Sequence, residues 1–139
     1  GDNSLRKRLF NDLKSLGFIF PVICSSYTIK DPTAIVQSGT VLMPGSIVNT
    51  GVEIGHNCIV NTGAIVDHEC KIGNHVHIAP GVTLSGNVIV GANSHIGTGA
   101  SIIQGVKIKE NVIVGAGSVV IKDIENPGTY VGVPVKKIR

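Results

Sequence analysis

Ile59-Val60-Asn61-Thr62-Gly63-Ala64 is followed at once by Ile65-Val66-Asp67-His68-Glu69-Cys70, and then by Lys71-Ile72-Gly73-Asn74-His75-Val76. Each hexad has an aliphatic residue second, a turn residue fifth and a small or modest residue sixth. The frame runs outward in both directions. At every sixth position from Val36 to Val120 stands Val, Ile or Leu, fifteen times without a break. These three types fill 44 of the 139 positions. Chance would give such a run about once in ten million.

The neighbouring columns agree. Gly or Asn fills the fifth slot in twelve of fifteen hexads, and the exceptions are Glu69, His75 and Asp123. Gly and Asn accept positive φ at low cost, so a tight corner every six residues explains the column. Three such edges close a triangle in eighteen residues. Residues 36–125 therefore predict about five coils, a prism roughly 20–25 Å tall at ~4.8 Å per coil. Val and Ile occur 19 times each and aromatics make up only 4%. Such a composition fits a narrow core of branched aliphatics.

The remaining composition excludes several classes. Its 139 residues make one domain, and no apolar run is long enough to span a membrane. A net charge of +3 excludes a nucleic-acid binder driven by a strong basic field. Three cysteines without CxxC spacing indicate neither a disulfide framework nor a zinc knuckle, and a reducing cytoplasm is the expected compartment. Cys58 and Cys70 occupy the small-residue column and read as buried thiols, as does Cys24.

The flanks break the period. Leu5, Leu9, Leu13 and Leu16 recur at helical spacing, predicting a helix over 4–16 with Ser4 as N-cap and Gly17 as stop. Phe18 to Cys24 reads as a short apolar strand. A helix and a strand are part of an α/β unit, so residues 1–25 are expected to be the tail of a truncated N-terminal α/β domain, the start at Gly1 being a fragment edge. Residues 26–125 form the prism. Residues 126–139, beginning near Pro127-Gly128, are expected to leave it as a tail.

The hexads resemble those of the hexapeptide-repeat acyltransferases, over residues 29–139. The resemblance implies an all-β fold, a left-handed parallel β-helix; its hand comes from the family alone, since parallel crossovers are otherwise right-handed. Gly1-Asp2-Asn3, then Asn61 to Cys70, then His77-Ile78-Ala79-Pro80-Gly81 resemble the acetyltransferases of sialic acid and of nucleotide-linked 4-amino sugars. The ending Val131 to Arg139 is similar to that subfamily's Gly-Asn-Pro-Ala-Lys terminus, with Val133 and Val135 replacing Asn and Ala. Membership implies acetyl-CoA as co-substrate, a sugar or nucleotide-sugar acceptor bound by an N-terminal Rossmann-like domain of which residues 1–25 are the remnant, and a homotrimer with coenzyme A in the groove between subunits.

Acetyl transfer needs a proton acceptor for the attacking group, and imidazole titrates near neutrality. His68 and Glu69 share one corner, with Glu69 in a slot that favours Gly. Forcing Glu into a left-handed corner costs about 1 kcal/mol, and a local rule broken at one place points to a site. A solvated corner with a fortuitous His-Glu pair is the plainer reading from spacing alone. One coil above His68 is Gly86, which would let a thioester approach closely and offer its N–H to an oxyanion, or be an ordinary corner glycine. His77 matches a family residue that contacts acetyl-CoA. His95 stacks above it, and His56, His75 and His95 read as surface residues. Pro80, Thr98 and Ala116 repeat at eighteen-residue spacing, the kind of ladder along which pantetheine runs in the family. Lys136, Lys137 and Arg139 could meet the coenzyme A phosphates. No metal site is expected: a γ-class carbonic anhydrase needs two zinc histidines five residues apart, and no pair here has that spacing. The same prism would also suit a non-catalytic scaffold, or an acyltransferase with a different donor or acceptor.

Overall fold

The computed structural model describes residues 2–139, so Gly1 of the Gly-Asp-Asn motif lies outside the described residues. Each hexad supplies one short strand, mostly of two residues, and one corner. Eight corners place Gly in the left-handed region, and Asn57, Glu69, His75, Asn87, Asn93 and Asn111 adopt it with φ between 54° and 62°. Asp123 does not; there the coil ends, and its Oδ1 accepts the Lys107 N–H at 2.8 Å.

The chain winds as a left-handed parallel β-helix of six coils. Every pairing within it is parallel, and those between successive coils join residues eighteen apart, as in His77 opposite Ile59 and His95. The first face contains Ile23–Cys24, Val41–Leu42, Ile59–Val60, His77–Ile78, His95–Ile96 and Val112–Val114. The second contains Ile29–Lys30, Ile47–Val48, Ile65–Val66, Thr83–Leu84, Ser101–Ile102 and Val119–Val120. The third contains Ile35–Val36, Glu53–Ile54, Lys71–Ile72, Ile89–Val90 and Lys107–Ile108.

The aliphatic column from Leu42 onward points inward and is buried throughout, each side chain contributing roughly 1.5–3 kcal/mol. The sixth-slot residues fill the corners behind it. Polar members are satisfied there: Thr40 Oγ1 donates to the Gly55 carbonyl and accepts from Cys58 N–H. Cys58 and Cys70 are buried, and burial pushes both thiols up to about 11.

The solenoid has six coils rather than five, because Ile23–Cys24 pairs in parallel with Val41–Leu42 and opens a first coil. The aliphatic frame hides that coil, since Cys24 and Lys30 stand where Val or Ile is expected. Cys24 is exposed, because no coil lies beneath it. The C-terminal segment does not leave the prism either. Gly128–Gly132 adds a strand in parallel to Val112–Val114, and Val135–Lys137 folds back on it antiparallel, capping the top.

Helix α1 runs from Asn3 to Ser15. Its N-cap is Asp2 rather than Ser4: the Asp2 carboxylate accepts from the Ser4 and Leu5 N–H groups. Gly17, at φ 88°, ends it as expected. The helix lies along the edge between third and first faces. Arg6 Nε donates to the Asn57 carbonyl (3.2 Å) and Nη2 to that of His75 (2.7 Å), while Asn3 Nδ2 donates to the Ser94 carbonyl (3.0 Å). Phe10 is buried against Phe20, with ring centroids 4.7 Å apart. The docked face is thus Asn3, Arg6 and Phe10, while Leu5, Leu9, Leu13 and Leu16 remain exposed. Among the described residues no helix is long and apolar enough to cross a membrane.

Candidate active site

The edge between second and third faces carries Asp67, His68 and Glu69. Asn49 Nδ2 donates to Asp67 Oδ1 at 2.8 Å, and the His68 N–H donates to the same oxygen at 2.8 Å. These hydrogen bonds hold the Asp67 carboxyl below the usual carboxylate range. The corner is thereby pinned from the coil below. Glu69 takes φ 57°, the left-handed slot, and its N–H donates to the Thr50 carbonyl at 2.9 Å.

The His68 imidazole and the Glu69 carboxylate both reach outward, with side chains 49% and 64% exposed. Nδ1 of His68 sits 3.4 Å from Glu69 Oε2, a long and weak hydrogen bond in this exposed setting. The rest of the ring lies over Gly86. A methyl group at Gly86 would collide with Nε2, Cε1 and Cδ2 of His68. The absence of a side chain at Gly86 therefore makes room for the imidazole. Gly86 N–H has no acceptor among the described residues.

The first face carries the second group. His77 is 8% exposed, and burial, then the neighbouring His95 and Arg6, push its pKa down to about 4. Asn61 Oδ1 accepts the Thr62 N–H at 2.8 Å, which turns its Nδ2 toward His77 Nε2 at 3.1 Å. The amide donates there, so the His77 proton belongs on Nδ1, which is buried and has no partner. His95 meets His77 edge-on, with centroids 4.8 Å apart. Burial lowers the pKa of His95 also. Sequence reasoning does not single out Asn61, although it opens the Asn61 to Cys70 motif; its one signal is an amide at the corner facing the His77 strand.

Thr98 and Ala116 follow Pro80 up the edge between first and second faces. The ladder is continuous in the backbone: Gly99 N–H donates to the Pro80 carbonyl and Gly117 N–H to that of Thr98. The fold thus joins His68, Glu69 and Gly86 on one edge, and His77, Thr98 and Ala116 on or beside another. Within one chain the second face separates them by about 17 Å, at ~3.3 Å per residue. Two more histidines are structural. His75, expected on the surface, lies beneath Phe10 and accepts from Asn57 Nδ2 at 2.9 Å. His56 Nδ1 meets Ser38 Oγ at 3.0 Å.

The three faces differ outside the core. The outward row of the third is charged, with Glu53 and Lys71 paired at 3.4 Å and Lys107 above them. That of the second is Ile29, Ile47, Ile65, Thr83, Ser101 and Val119, without a charge.

Two family descriptions match the repeat: "Bacterial transferase hexapeptide (six repeats)" over residues 69–103 and 87–122, and "Hexapeptide repeat of succinyl-transferase" over residues 45–68. No curated protein matches. Among solved structures, the acetyltransferase domain of PglB from Neisseria gonorrhoeae is 38% identical with a TM-score of 0.97, covering 99% of this chain and 67% of its own. The same domain is also known in complex with acetyl coenzyme A, at a TM-score of 0.95 with the same coverage. PerB from Caulobacter crescentus, in complex with CoA and GDP-perosamine, is 36% identical with a TM-score of 0.97, covering 99% and 67%.

Proposed function

This chain belongs to the hexapeptide-repeat acyltransferases, and from that membership we propose that it moves an acetyl group from acetyl-CoA to an amino or hydroxyl group of a sugar, nucleotide-linked or sialic acid. Acetyl coenzyme A is bound by the PglB domain, and CoA with GDP-perosamine by PerB, which supports both the donor and the acceptor class. The observation that carries the reading is the His68 corner. An imidazole with a carboxylate at Nδ1 stands exposed on a strained turn that the repeat would otherwise fill with Gly.

His68 acts as general base. With Glu69 holding Nδ1–H, Nε2 takes the proton of the attacking amine or hydroxyl as it adds to the acetyl carbonyl. The Gly86 N–H donates to the oxyanion. The adduct then collapses, breaking the carbon–sulfur bond, and His68 returns the proton to the departing thiolate. No acyl-enzyme forms, because Cys58 and Cys70 are buried and their raised pKa values keep them as thiols. The same free thiols fit a reducing cytoplasm.

The two groups of residues work together only if they come from different copies. A homotrimer with the second face turned to the three-fold axis sets the edge bearing Thr98 and Ala116 against the edge bearing His68 of the partner subunit. The uncharged second face supports that packing. The pantetheine runs along Pro80, Thr98 and Ala116 beside neutral His77, and Lys136, Lys137 and Arg139 are the cations for its phosphates.

The test follows thiol release from acetyl-CoA with nucleotide 4-amino sugars and sialic acid as acceptors. His68→Ala abolishes turnover while leaving the Kd for acetyl-CoA nearly unchanged. Wild-type turnover in that variant refutes the assignment. Absence of any acetyl-CoA binding by the native chain favours a scaffold instead. Mixing His68→Ala with a ladder-blocked Thr98→Trp variant, each inactive alone, restores about a quarter of native activity in randomly mixed trimers.

A further inference from the structure

The corner that carries His68 is served by the coil beneath it. At eighteen-residue spacing along the edge between second and third faces stand Asp31, Asn49, Asp67, Ser85, Ile103 and Ile121. Asn49 Nδ2 and the His68 N–H both donate to Asp67 Oδ1, each at 2.8 Å. Asn49 and Asp67 are half-buried, whereas His68 and Glu69 stand in solvent. The tie is particular to this level. The equivalent N–H groups of Thr50, Gly86 and Gln104 on the same edge have no acceptor among the described residues. Gly51, in the same lower corner as Asn49, leaves room for the neighbouring acid: a methyl group there would lie 3.3 Å from Glu69 Cγ. One lower corner thus seats both members of the His68–Glu69 pair.

We propose that Asn49 and Asp67 are positioning residues for the reacting imidazole: Asn49 holds the Asp67 carboxylate, the carboxylate holds the His68 peptide, and the ring is aimed over Gly86 before any substrate arrives. The proposal rests on the acetyltransferase reading above and extends it to a coil that carries no reacting group. The direction of each bond follows from chemistry. An ionised carboxylate only accepts, so Asn49 supplies the N–H, and a second carboxylate in its place would set like charges against each other. Relative strength decides which contact places the ring. Nδ1 of His68 and Oε2 of Glu69 are 3.4 Å apart and exposed, a contact for which water competes. The bonds to Asp67 are short, charge-assisted and half-shielded, so they are the stronger. Glu69 then keeps the proton on Nδ1, while Asn49 and Asp67 fix where the imidazole stands. Place matters because proton transfer needs Nε2 within hydrogen-bond reach of the attacking group, and an error of about 1 Å costs about a hundredfold. Asn49 and Asp67 themselves exchange no proton with the substrate.

Two measurements on the native chain and its variants test this. The first is thiol release from acetyl-CoA with nucleotide 4-amino sugars and sialic acid as acceptors. The second needs no acceptor: the nuclear Overhauser contact between the His68 ring protons and the Gly86 α-protons. Asn49→Ala lowers kcat about tenfold, leaves KM for acetyl-CoA within about twofold and weakens the ring contact. Asp67→Asn keeps an acceptor for both donors and stays within about threefold of native. Asn49→Asp sets two carboxylates together and behaves like Asn49→Ala. The exchanged pair Asn49→Asp/Asp67→Asn restores one donor and one acceptor in reverse order and recovers kcat to within about threefold of native, a coupling that a general loss of stability does not produce. Asp31→Ala, two coils below His68, changes neither readout. Native kcat and an intact ring contact in Asn49→Ala overturn the proposal and spare the acetyltransferase reading, as does an exchanged pair no better than Asn49→Asp alone. A native chain that releases no thiol overturns the acetyltransferase reading. The ring contact then decides the positioning by itself, which is upheld where Asn49→Ala loses the contact and overturned where it persists.

Discussion

Glu69 and His75 break the same local rule with different outcomes. Both stand in a fifth slot that the repeat gives to Gly or Asn, and both take positive φ. The sequence shows the two departures equally well. It cannot show that an aromatic from a distant helix, Phe10, covers one of them and leaves the other in solvent. Glu69→Gly removes about 1 kcal/mol of backbone strain, so it raises the melting temperature by about 3 °C while lowering kcat. Thermal melts beside steady-state kinetics check both signs, and a variant that melts lower than native contradicts the strain argument. Gly86 is legible as a glycine one coil above His68, but its purpose is not, because the imidazole comes to lie on it only once the coils stack. Its φ is not in the left-handed region, so Gly86→Ala adds no backbone strain. It pushes the His68 ring aside, and kcat falls about tenfold or more with the melting temperature nearly unchanged.

Helix α1 is legible in type and nearly in extent, yet its pattern misleads about orientation. The leucine stripe draws attention to Leu5, Leu9, Leu13 and Leu16, whereas the prism is gripped by Asn3, Arg6 and Phe10. The reason is chemical. The grip is made of side-chain donors on backbone carbonyls, and carbonyls leave no trace in a residue pattern. Arg6→Ala deletes the guanidinium bonds to the Asn57 and His75 carbonyls and loosens the helix by about 3 kcal/mol. Amide exchange over residues 3–15 then accelerates by roughly a hundredfold, with exchange in the coils unaltered. The strands, by contrast, are legible wherever the aliphatic frame holds, and disappear at Cys24 and Lys30 where it lapses.

For the molecule as a whole, the periodic core fixes stability, and two buried imidazoles with a half-buried third tie it to pH. His75, His77 and His95 all have pKa values lowered chiefly by burial, His77 to about 4. Below pH ~6.5 the unfolded chain takes up protons that the native chain refuses, so stability is full above that value and declines as pH falls toward 4. His77 alone accounts for about 3 kcal/mol of that decline. Denaturant titrations at pH 7.5, 6 and 5 should show it, and His77→Asn should flatten the slope. The eighteen-residue circuit has a consequence of another kind: length changes behave like shifts of a reading frame. Excising one hexad between Val66 and Thr98 swings everything above it through a third of a turn, carrying Thr98 and Ala116 onto a different side of the molecule. Excising three hexads lowers the tower by one storey and leaves every upper residue in phase. Insertions and deletions that spare activity should therefore come in whole storeys, or be looped out at a corner.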